Sequence, residues 1–568
     1  MSDRVAFATL LMLAVGLCEF GLALDESEYY DKLEEINYLL DHIDKQAKDL
    51  CPLSPLVTTC GNNICEHLWE NGDNCPADCV ITPVKSYDHQ VNCAQVEQLL
   101  TPASLDELID IVKSAHLNGT HVRVVGSRHT VNQQYCTNGI AISMDNFKTI
   151  IGIEKEPDGS ESVMVQPSVI MADLGEWLHE RDRSLGYAQL GFRAATIAGA
   201  IANGAHGSSP KHTSVLSSLV RSATIVKSDG HILEISDSDP NLMRAARAHL
   251  GMLGVVVSLK LKIEPQFKLK VRVTTHNDAL MLAENGLEEL IEDCDYALLN
   301  WFPALDKFVR TCGKKTNKKV DRDAENVLLK TGIPNGLISP FKIALHYGMC
   351  FPSFNAELET LRYLWLKWLP PFQKRGLFGN IKNTTKAVGY SHRMLSSDFV
   401  EPPQHFFQND WEVAVPIDNA FSVIKAIHDG LTKNGLHFPL IGVFIRFVPS
   451  EDYSLLAHTT SVGAFKQNET VALFEFPTPT AEGFSAEEQR RINKPYEDIV
   501  KLLITDFDGR PHWGKNREWA FKLALDLGAY GDNLSLFKAQ ASAIDQTGMF
   551  LNNFTCSIGL LDRPCDHP

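Results

Sequence analysis

The stretch ATIAGAIANGAHGSS (residues 195–209) decides the fold. Gly199, Gly204 and Gly207 stand among alanines and serines, and His206 directly precedes the last of these glycines. Residues this small let the main chain approach a flat ligand closely. Tight helix packing is the alternative interpretation, but such packing would tolerate alanine throughout. The Gly-x-His-Gly core therefore favours a ligand-binding wall.

Three further motifs flank this stretch in an α/β alternation. RVVGSRHT (123–130) predicts a strand that feeds a glycine-led turn, whose main-chain amides suit a phosphate group. QPSVIMADLGEWL (166–178) predicts the end of a strand and a short helix, and LGMLGVVVSLKL (250–261) predicts a turn into a strand. Upstream, Ser104 is predicted to cap a helix that ends at Gly119. Neither GxxxxGK[ST] nor GxGxxG is present, so the P-loop and dinucleotide fingerprints are absent.

In this order the four motifs resemble the PCMH-type FAD-binding domain of the vanillyl-alcohol oxidase superfamily, over roughly residues 90–265. Downstream, NWFP (300–303), WEVAVP (411–416), FIRF (444–447) and RPHWGK (510–515) are similar to the aldonolactone oxidase and alditol oxidase branch. The resemblance implies an α+β fold with an antiparallel-sheet cap domain over the flavin. The predicted organisation is a signal peptide (1–23), a helical extension (24–50), a cysteine-rich disulfide module (51–93), an FAD-binding domain (94–267), a cap domain that binds substrate (268–504), and a C-terminal return to the FAD site with a tail (505–568).

The same resemblance places the cofactor. It implies a covalent bond from His129 to the flavin, with a non-covalent loop histidine as the alternative. The family motif Gly-x-Gly-His-Ser is altered here, because Arg128 and Thr130 replace the second glycine and the serine. Arg128 either reaches a phosphate or points outward. The expected FAD-binding residues are Gly126, Ser127, Arg128, His129, Thr130, Ala198, Gly199, Asn203, Gly204, His206, Gly207, Ser208 and, on the adenine side, Val257.

On the substrate side the resemblance implies cations beside the flavin. Lys515, Arg446 and His512 match family positions. Of these, Lys515 and Arg446 are cations, which stabilise the negative charge that develops on hydride transfer. The glutamate of the family's Glu-x-Arg pair falls on Phe444, which accepts no hydrogen bond. Glu475 is the expected replacement, with Asp410 and Glu412 as further candidates. The alternatives are a different substrate position or an inactive relative. The expected catalytic residues are Arg446, Lys515, His512 and Glu475, and the expected substrate residues are Asp410, Glu412 and Phe444.

Gly514 bears on the choice of substrate. Alditol oxidases read HWGK, as this chain does, whereas the animal lactone oxidases read HWAK. The first hypothesis is therefore an FAD-dependent oxidase of a sugar alcohol such as mannitol, with dioxygen as acceptor and hydrogen peroxide as product. An L-gulono- or other aldono-1,4-lactone oxidase is the alternative within the enzyme class. A secreted binding protein on a flavoenzyme scaffold is the alternative of another class, and a protein electron acceptor remains open.

Charge and composition exclude other functions. The 568 residues carry 53 basic and 70 acidic side chains and a net charge of −17. A nucleic-acid binder needs a basic surface to neutralise phosphates, so no nucleic-acid partner is expected. No metal site is expected either.

The N-terminus indicates export. An apolar run follows Arg4 and ends in small residues near Ala23, as in a cleaved signal peptide; an uncleaved anchor is the alternative. We expect a location in the secretory pathway, in the ER lumen or outside the cell, but the sequence gives no firm membrane prediction. Asn-x-Ser/Thr sequons occur at Asn118, Asn383, Asn468, Asn533 and Asn553.

The cysteines fit an oxidising compartment. Thirteen are present, and removal of Cys18 with the signal leaves an even number. A predicted module holds Cys51, Cys60, Cys65, Cys75, Cys79 and Cys93 between loop-forming residues. Disulfides are favoured over zinc, because closely spaced Cys-x2-Cys pairs are lacking. The connectivity is open. This module and the helical extension are candidates for protein contact or self-association.

Overall fold

The structure is a computed structural model that describes residues 84–87, 91–328, 355–376, 379–397, 406–433, 442–481 and 486–560. The predicted signal peptide, the helical extension and nearly all of the cysteine-rich module lie outside the described residues. Among the described helices, none combines the length and the apolar character needed to cross a bilayer.

The first half of the described chain builds two small sheets with helices against them. Its elements are β1 (Gln98–Leu100), α1 (Leu105–Asn118), β2 (Val122–Val125), β3 (Ile140–Ser143), β4 (Ile150–Lys155), β5 (Glu161–Val165), α2 (Met171–His179), β6 (Arg183–Ser184), α3 (Ile197–Ala202), β7 (Val220–Val226), β8 (Ile232–Ser236), α4 (Pro240–Ala246) and β9 (Val255–Pro265). β1, β3 and β2 form a parallel sheet in that order. β4, β5, β9, β7 and β8 form an antiparallel sheet, with β6 paired to β9.

Local signals explain α1. The Ser104 side chain accepts a hydrogen bond from the Glu107 amide, and Glu107 Oε2 accepts one from the Ala103 amide at 2.7 Å. Gly119 ends the helix in the left-handed conformation with φ +65°, where glycine carries no steric penalty. Leu108 and Val112 are fully buried and form the inner face of this helix.

The second half adds a large antiparallel sheet. Its elements are β10 (Lys268–Asn277), α5 (Gly286–Ile291), β11 (Tyr296–Phe302), β12 (Lys307–Lys315), β13 (Glu325–Asn326), α6 (Asn355–Trp368), β14 (Phe372–Arg375), β15 (Ile381–Thr384), β16 (Lys386–Tyr390), α7 (Ser391–Met394), β17 (Phe406–Asn409), β18 (Glu412–Pro416), α8 (Ile417–Lys433), β19 (Val443–Pro449), β20 (Thr470–Glu475), β21 (Thr478–Ala481), α9 (Ala486–Asp506), β22 (Arg510–Pro511), α10 (Glu518–Asp526), α11 (Asp532–Ile544) and α12 (Asn553–Ser557). The sheet order is β16-β10-β12-β11-β19-β20-β18-β22. The α+β class and the antiparallel cap are therefore confirmed.

Strand alternation places the second hydrophobic core on one face of this cap sheet. Trp301, Trp411 and Phe474 are fully buried there against Ile424 of α8. The opposite faces of β18, β19 and β20 carry Glu412, Arg446 and Glu475. β22 pairs with β18 and so brings the RPHWGK segment back to these polar side chains.

Two disulfides join described residues. Cys294 pairs with Cys312, and Cys93 pairs with Cys136, with Cα atoms 5.4 and 5.1 Å apart. The grouping of Cys93 with the cysteine-rich module is therefore wrong as regards pairing, because its partner follows β2 in the predicted FAD-binding domain. Closing a loop of 43 residues is worth about 4 kcal/mol in the chain-entropy treatment. The bond fixes the segment that carries Tyr87 beside the His129 turn.

Candidate active site

A cavity of about 350 Å³ lies between the first half of the chain and the cap sheet. Most of the residues expected from the sequence line it. On the cofactor side these are Gly126, Ser127, Arg128, His129, Thr130, Ala198, Gly199, Asn203, His206, Gly207 and Ser208; on the cap side they are Asp410, Phe444, Arg446, Glu475, His512 and Lys515. Residues more than 300 positions apart in the chain thus meet around one cavity.

Three expected residues are placed differently. Gly204 ends α3 with φ +67° and is not part of the cavity lining. Val257 packs against Leu108 and Val226, while its neighbour Val256 faces the cavity, because successive residues of a strand point to opposite sides. Glu412 is fully buried and is not part of the cavity lining, although it was expected to contact substrate.

The turn after β2 presents His129. Its ring lies between Tyr87 and Phe192, with ring centroids 4.5 and 4.4 Å away. Ser127 Oγ accepts the amide proton of Thr196 and lies 3.0 Å from His129 Nδ1, so its hydroxyl proton can be donated to that nitrogen. Burial, with a smaller contribution from the Arg128 charge, lowers the pKa of His129 to about 4. The imidazole is therefore neutral near pH 7 and retains a nucleophilic lone pair.

Arg128 occupies the altered glycine position of the motif. Its backbone has φ +58°, the left-handed region that glycine adopts freely and other residues adopt at a cost. This position therefore has a left-handed backbone although an arginine, and not a glycine, occupies it. The Arg128 side chain is exposed at the rim and contributes to the cavity lining.

Four oppositely charged groups meet at the cap end of the cavity. The Nη2 atom of Arg446 donates hydrogen bonds to both carboxylates. It donates to Glu412 Oε2 and to Glu475 Oε2, and the second of these bonds is 2.6 Å long. Lys515 Nζ donates to Glu475 Oε1 and lies 3.3 Å from Glu412 Oε2. We call Glu412, Glu475, Arg446 and Lys515 the charge cluster. The pairing of β18, β19 and β20 sets its geometry, since Glu475 is the direct partner of both Glu412 and Phe444.

Glu412, Arg446 and Lys515 are held in their charged forms. Burial by itself would raise the pKa of Glu412, but Lys515, Arg446 and His206 outweigh it and hold that pKa well below its usual range. Burial and the Arg446 charge would lower the pKa of Lys515, yet Glu412, Glu475 and Asp410 raise it overall. The cavity therefore presents fixed cations at neutral pH.

Three buried histidines surround Glu412. His206 Nε2 lies 2.8 Å from Glu412 Oε1, and His458 Nε2 lies 3.8 Å from the same oxygen. His512 packs on His458 with ring centroids 4.5 Å apart and accepts the Gly514 amide proton at Nδ1. Burial lowers the pKa of both His458 and His512 well below the usual range, so these two rings are neutral.

The RPHWGK turn is anchored by its tryptophan. Trp513 is fully buried, donates from Nε1 to the Leu456 carbonyl at 2.6 Å, and stacks on Phe521. The Gly514 carbonyl accepts the Val131 amide proton at 3.0 Å, which ties this turn to the His129 turn. The buried tryptophan thus anchors the turn that carries Lys515.

Sequence reasoning missed several cavity residues. Tyr296 and Leu298 line the cavity from β11, and Leu299 and Trp301 are buried on the other face of the same strand. The alternation of residues along β11 could have predicted these two lining residues. No sequence pattern predicts the position of His458, because it lies between β19 and β20 and approaches Glu412 only in the folded chain.

The cavity suits a flavin cofactor on structural grounds. Its cofactor-side wall is main chain and small side chains, at Gly126, Ala198 and Gly199, which leaves room for a flat ring system. The cap side brings Arg446 and Lys515, which suit a ring that gains negative charge on reduction. We conclude that the residues fit FAD.

Comparisons with known proteins agree with this geometry. The FAD binding domain model matches residues 96–236, and the D-arabinono-1,4-lactone oxidase model matches residues 259–558. Among curated proteins, the D-arabinono-1,4-lactone oxidase of Kluyveromyces lactis is 30% identical, over 73% of this chain and 81% of its own. The L-gulonolactone oxidase of Mus musculus is 26% identical, over 81% and 94%. The L-gulono-1,4-lactone dehydrogenase of Mycobacterium tuberculosis is 24% identical, over 80% and 94%.

Solved structures confirm the fold. A solvent-stable cholesterol oxidase superposes with a TM-score of 0.64 at 16% identity, over 84% of this chain and 97% of its own. The cholesterol oxidase of B. sterolicum gives a TM-score of 0.65 at 14% identity, over 84% and 96%. At these identities the likeness concerns the fold alone. Taken together, the matched models, the relatives and the lined cavity show that the chain belongs to the D-arabinono-1,4-lactone oxidase family of FAD-binding enzymes.

Proposed function

We propose that the protein oxidises a hydroxyl-bearing carbon of an aldono-1,4-lactone and uses FAD as the electron acceptor. The observation that carries the proposal is the charge cluster at the cap end of the cavity, beside a wall that fits a flavin ring. The names of the relatives favour a lactone over the alditol that HWGK suggested. Gly514 gives little support to the alditol, because a Cβ there would lie 3.3 Å from His512 Cε1 and needs only a small shift of that ring.

Bound FAD would supply the acceptor for the hydride that leaves the substrate carbon. The residues of this chain supply the rest of the site. Glu475 borders the cavity next to Phe444. It is the carboxylate best placed to accept a hydrogen bond, and then the proton, from the substrate hydroxyl. Lys515 and Arg446 stabilise the negative charge that develops on that oxygen and on the cofactor. This electrostatic stabilisation is largest where water is excluded from the site. Phe192 and Phe444 supply apolar walls that keep water away.

His129 is proposed to hold the cofactor covalently. The support is its neutral imidazole at the cavity wall, oriented by Ser127 and enclosed by Tyr87 and Phe192. Protein precipitated with acid should remain yellow, whereas His129→Ala should release free FAD under the same treatment. A wild-type precipitate without colour would reject the covalent link and leave FAD binding itself intact.

The substrate is tested by anaerobic reduction of the flavin. Purified holoenzyme is mixed with L-gulono-1,4-lactone, D-arabinono-1,4-lactone, mannitol, sorbitol or xylitol, and bleaching of the flavin absorbance is followed. We expect bleaching by at least one lactone and a much slower reaction with the alditols. Rapid bleaching by mannitol alone would restore the alditol hypothesis. A flavin that none of them reduces would favour the non-catalytic binding protein.

Dioxygen is the proposed acceptor. Peroxide release in air should match the rate of substrate oxidation, measured in parallel with an artificial dye as acceptor. Turnover with the dye but without peroxide would indicate a dehydrogenase, as the M. tuberculosis relative is named.

Export is also proposed, on the basis of the N-terminal residues 1–23 and of disulfides that require an oxidising compartment. A reporter fused to residues 1–30 should enter the secretory pathway and lose its first residues near Ala23.

A further inference from the structure

His206 has an acceptor at each ring nitrogen. Nε2 lies 2.8 Å from Glu412 Oε1, and Nδ1 lies 2.9 Å from the Gly207 carbonyl oxygen. A carboxylate held in its charged form and a carbonyl both lack protons to donate. Each of the two hydrogen bonds therefore requires a proton on the histidine.

Both acceptors are fixed by their own partners. The second oxygen of Glu412 is engaged by Arg446 and Lys515, which keeps the carboxylate charged and oriented. Gly207 donates its amide to the Ser214 carbonyl at 2.7 Å, which fixes the adjoining main chain. A Cβ at residue 207 would lie 2.2 Å from the Tyr187 carbonyl, so the main chain has no room to move there.

We propose that His206 carries a proton on each ring nitrogen and so adds a positive charge to the cavity wall beside Glu412. It is 3% exposed and belongs to the cavity wall. The inference requires only that the protein binds FAD and does not depend on which substrate is oxidised.

The charges around Glu412 explain why a second proton on His206 is favourable. Arg123 and Arg128 line other parts of the cavity wall. In the group around Glu412, Arg446 and Lys515 face three carboxylates, Glu412, Glu475 and Asp410. Within this group, two cations against three anions leave one net negative charge, which is a penalty for a cofactor that becomes more negative on reduction. A third cation at His206 removes that penalty.

The neighbouring histidines provide an internal control. His458 is equally buried, and its ring centroid lies 5.4 Å from that of His206, but neither of its ring nitrogens has a hydrogen-bond partner within the described residues. His512 uses Nδ1 as an acceptor for the Gly514 amide. Both carry lowered pKa values, so among the three rings only His206 is set up to keep two protons.

The same side chains suggest a competing occupant. His206, Glu412, His458 and His512 offer ligand atoms within 4.8 Å of one another. A metal ion would need a lone pair from His206, which must then give up one of its two hydrogen bonds. It would also approach Arg446 and Lys515, which already neutralise Glu412. The geometry therefore favours a proton over a metal ion.

Sulfite tests the proposal without turnover. It adds reversibly to oxidised flavin and places negative charge on the ring, so its affinity reports the local electrostatic field. Sulfite is titrated into wild-type, His206→Gln and His458→Gln holoenzymes, and the loss of flavin absorbance is followed. We expect the dissociation constant for sulfite to rise by about tenfold or more in His206→Gln, because one buried charge is lost, and to change less than about threefold in His458→Gln. Equal changes in both variants, or no change in His206→Gln, would overturn the proposal.

Neutron diffraction of the wild-type holoenzyme gives an independent readout that needs no variant. Deuterium on both ring nitrogens of His206 supports the imidazolium. A single deuterium overturns it, and so does a metal ion that elemental analysis detects in stoichiometric amount and diffraction places among the three histidines.

Discussion

Glu475→Gln removes the carboxylate charge and keeps the shape of the side chain. Glu475 receives hydrogen bonds from Lys515 and Arg446 and lines the cavity beside Phe444. The amide still offers one oxygen to a cation and to a substrate hydroxyl. The variant therefore isolates the charge from the packing at this position.

The expected loss follows from these contacts. Truncating one partner of a buried, hydrogen-bonded charge pair costs about 2–5 kcal/mol. Part of that cost appears in the folded protein before substrate binds. We expect about 3–4 kcal/mol in the transition state, which corresponds to a fall in kcat/KM of roughly 10² to 10³.

The assay is stopped-flow reduction of the flavin by the most active lactone, with flavin content measured first by absorbance. Asp410→Asn is the matched control, because it neutralises the other carboxylate of the cavity lining. Activity of Glu475→Gln within about threefold of wild type would refute the assignment. A larger loss in Asp410→Asn would transfer the role to Asp410.

A carboxylate swap sharpens the test. Phe444 and Glu475 are direct partners across β19 and β20. The double variant Phe444→Glu/Glu475→Phe moves the carboxylate to the family position and conserves both volume and charge. We expect it to recover at least about tenfold of the activity lost in Glu475→Gln. No recovery, despite a full flavin content, would mean that the carboxylate must stand on β20.

Further predictions concern charge, acid stability and glycosylation. Lys515→Ala should lose about 3 kcal/mol of transition-state stabilisation, and unchanged turnover would reject its role. Burial lowers the pKa of His249 to about 4, so this ring is neutral in the fold and takes up a proton on unfolding below pH 6.5. The free energy of unfolding should therefore fall as the pH drops from 6.5 towards 4, by about 2 kcal/mol at pH 5, and His249→Gln should flatten this part of a denaturant-measured profile. Glycan mapping by mass spectrometry should find Asn468, which is exposed, modified and Asn533, which is buried and bonded to Arg244, unmodified.

Much of the cofactor side could be predicted from the chain. Small residues at 195–209 and the turn at 123–130 form continuous segments, and a continuous segment carries its own conformational signals. The left-handed backbone of Arg128 is an instance, since it stands at the position where the family motif carries glycine. The capped helix at Leu105–Asn118 is another, because Ser104 and Gly119 act only on their neighbours.

The substrate side could be predicted only in part. Lys515 and Arg446 were identified through motifs, but their partners, Glu412 and Glu475, stand on two other strands. Glu412 was expected to touch substrate and instead orients the two cations from behind the wall. The position of His458 could not be predicted, because no motif near it in the sequence indicates that it approaches Glu412.

By itself the sequence determined the fold class, the flavin-binding wall and the cations at the reacting end, because each is encoded in a short run of residues. Only the tertiary structure decided which carboxylate stands beside Phe444, which histidine lies between two acceptors, and that Cys93 is bonded to Cys136. The physical reason is sheet register. Pairing between strands tens of residues apart determines which side chains share a face, and a shift of one residue would turn Glu475 away from the cavity.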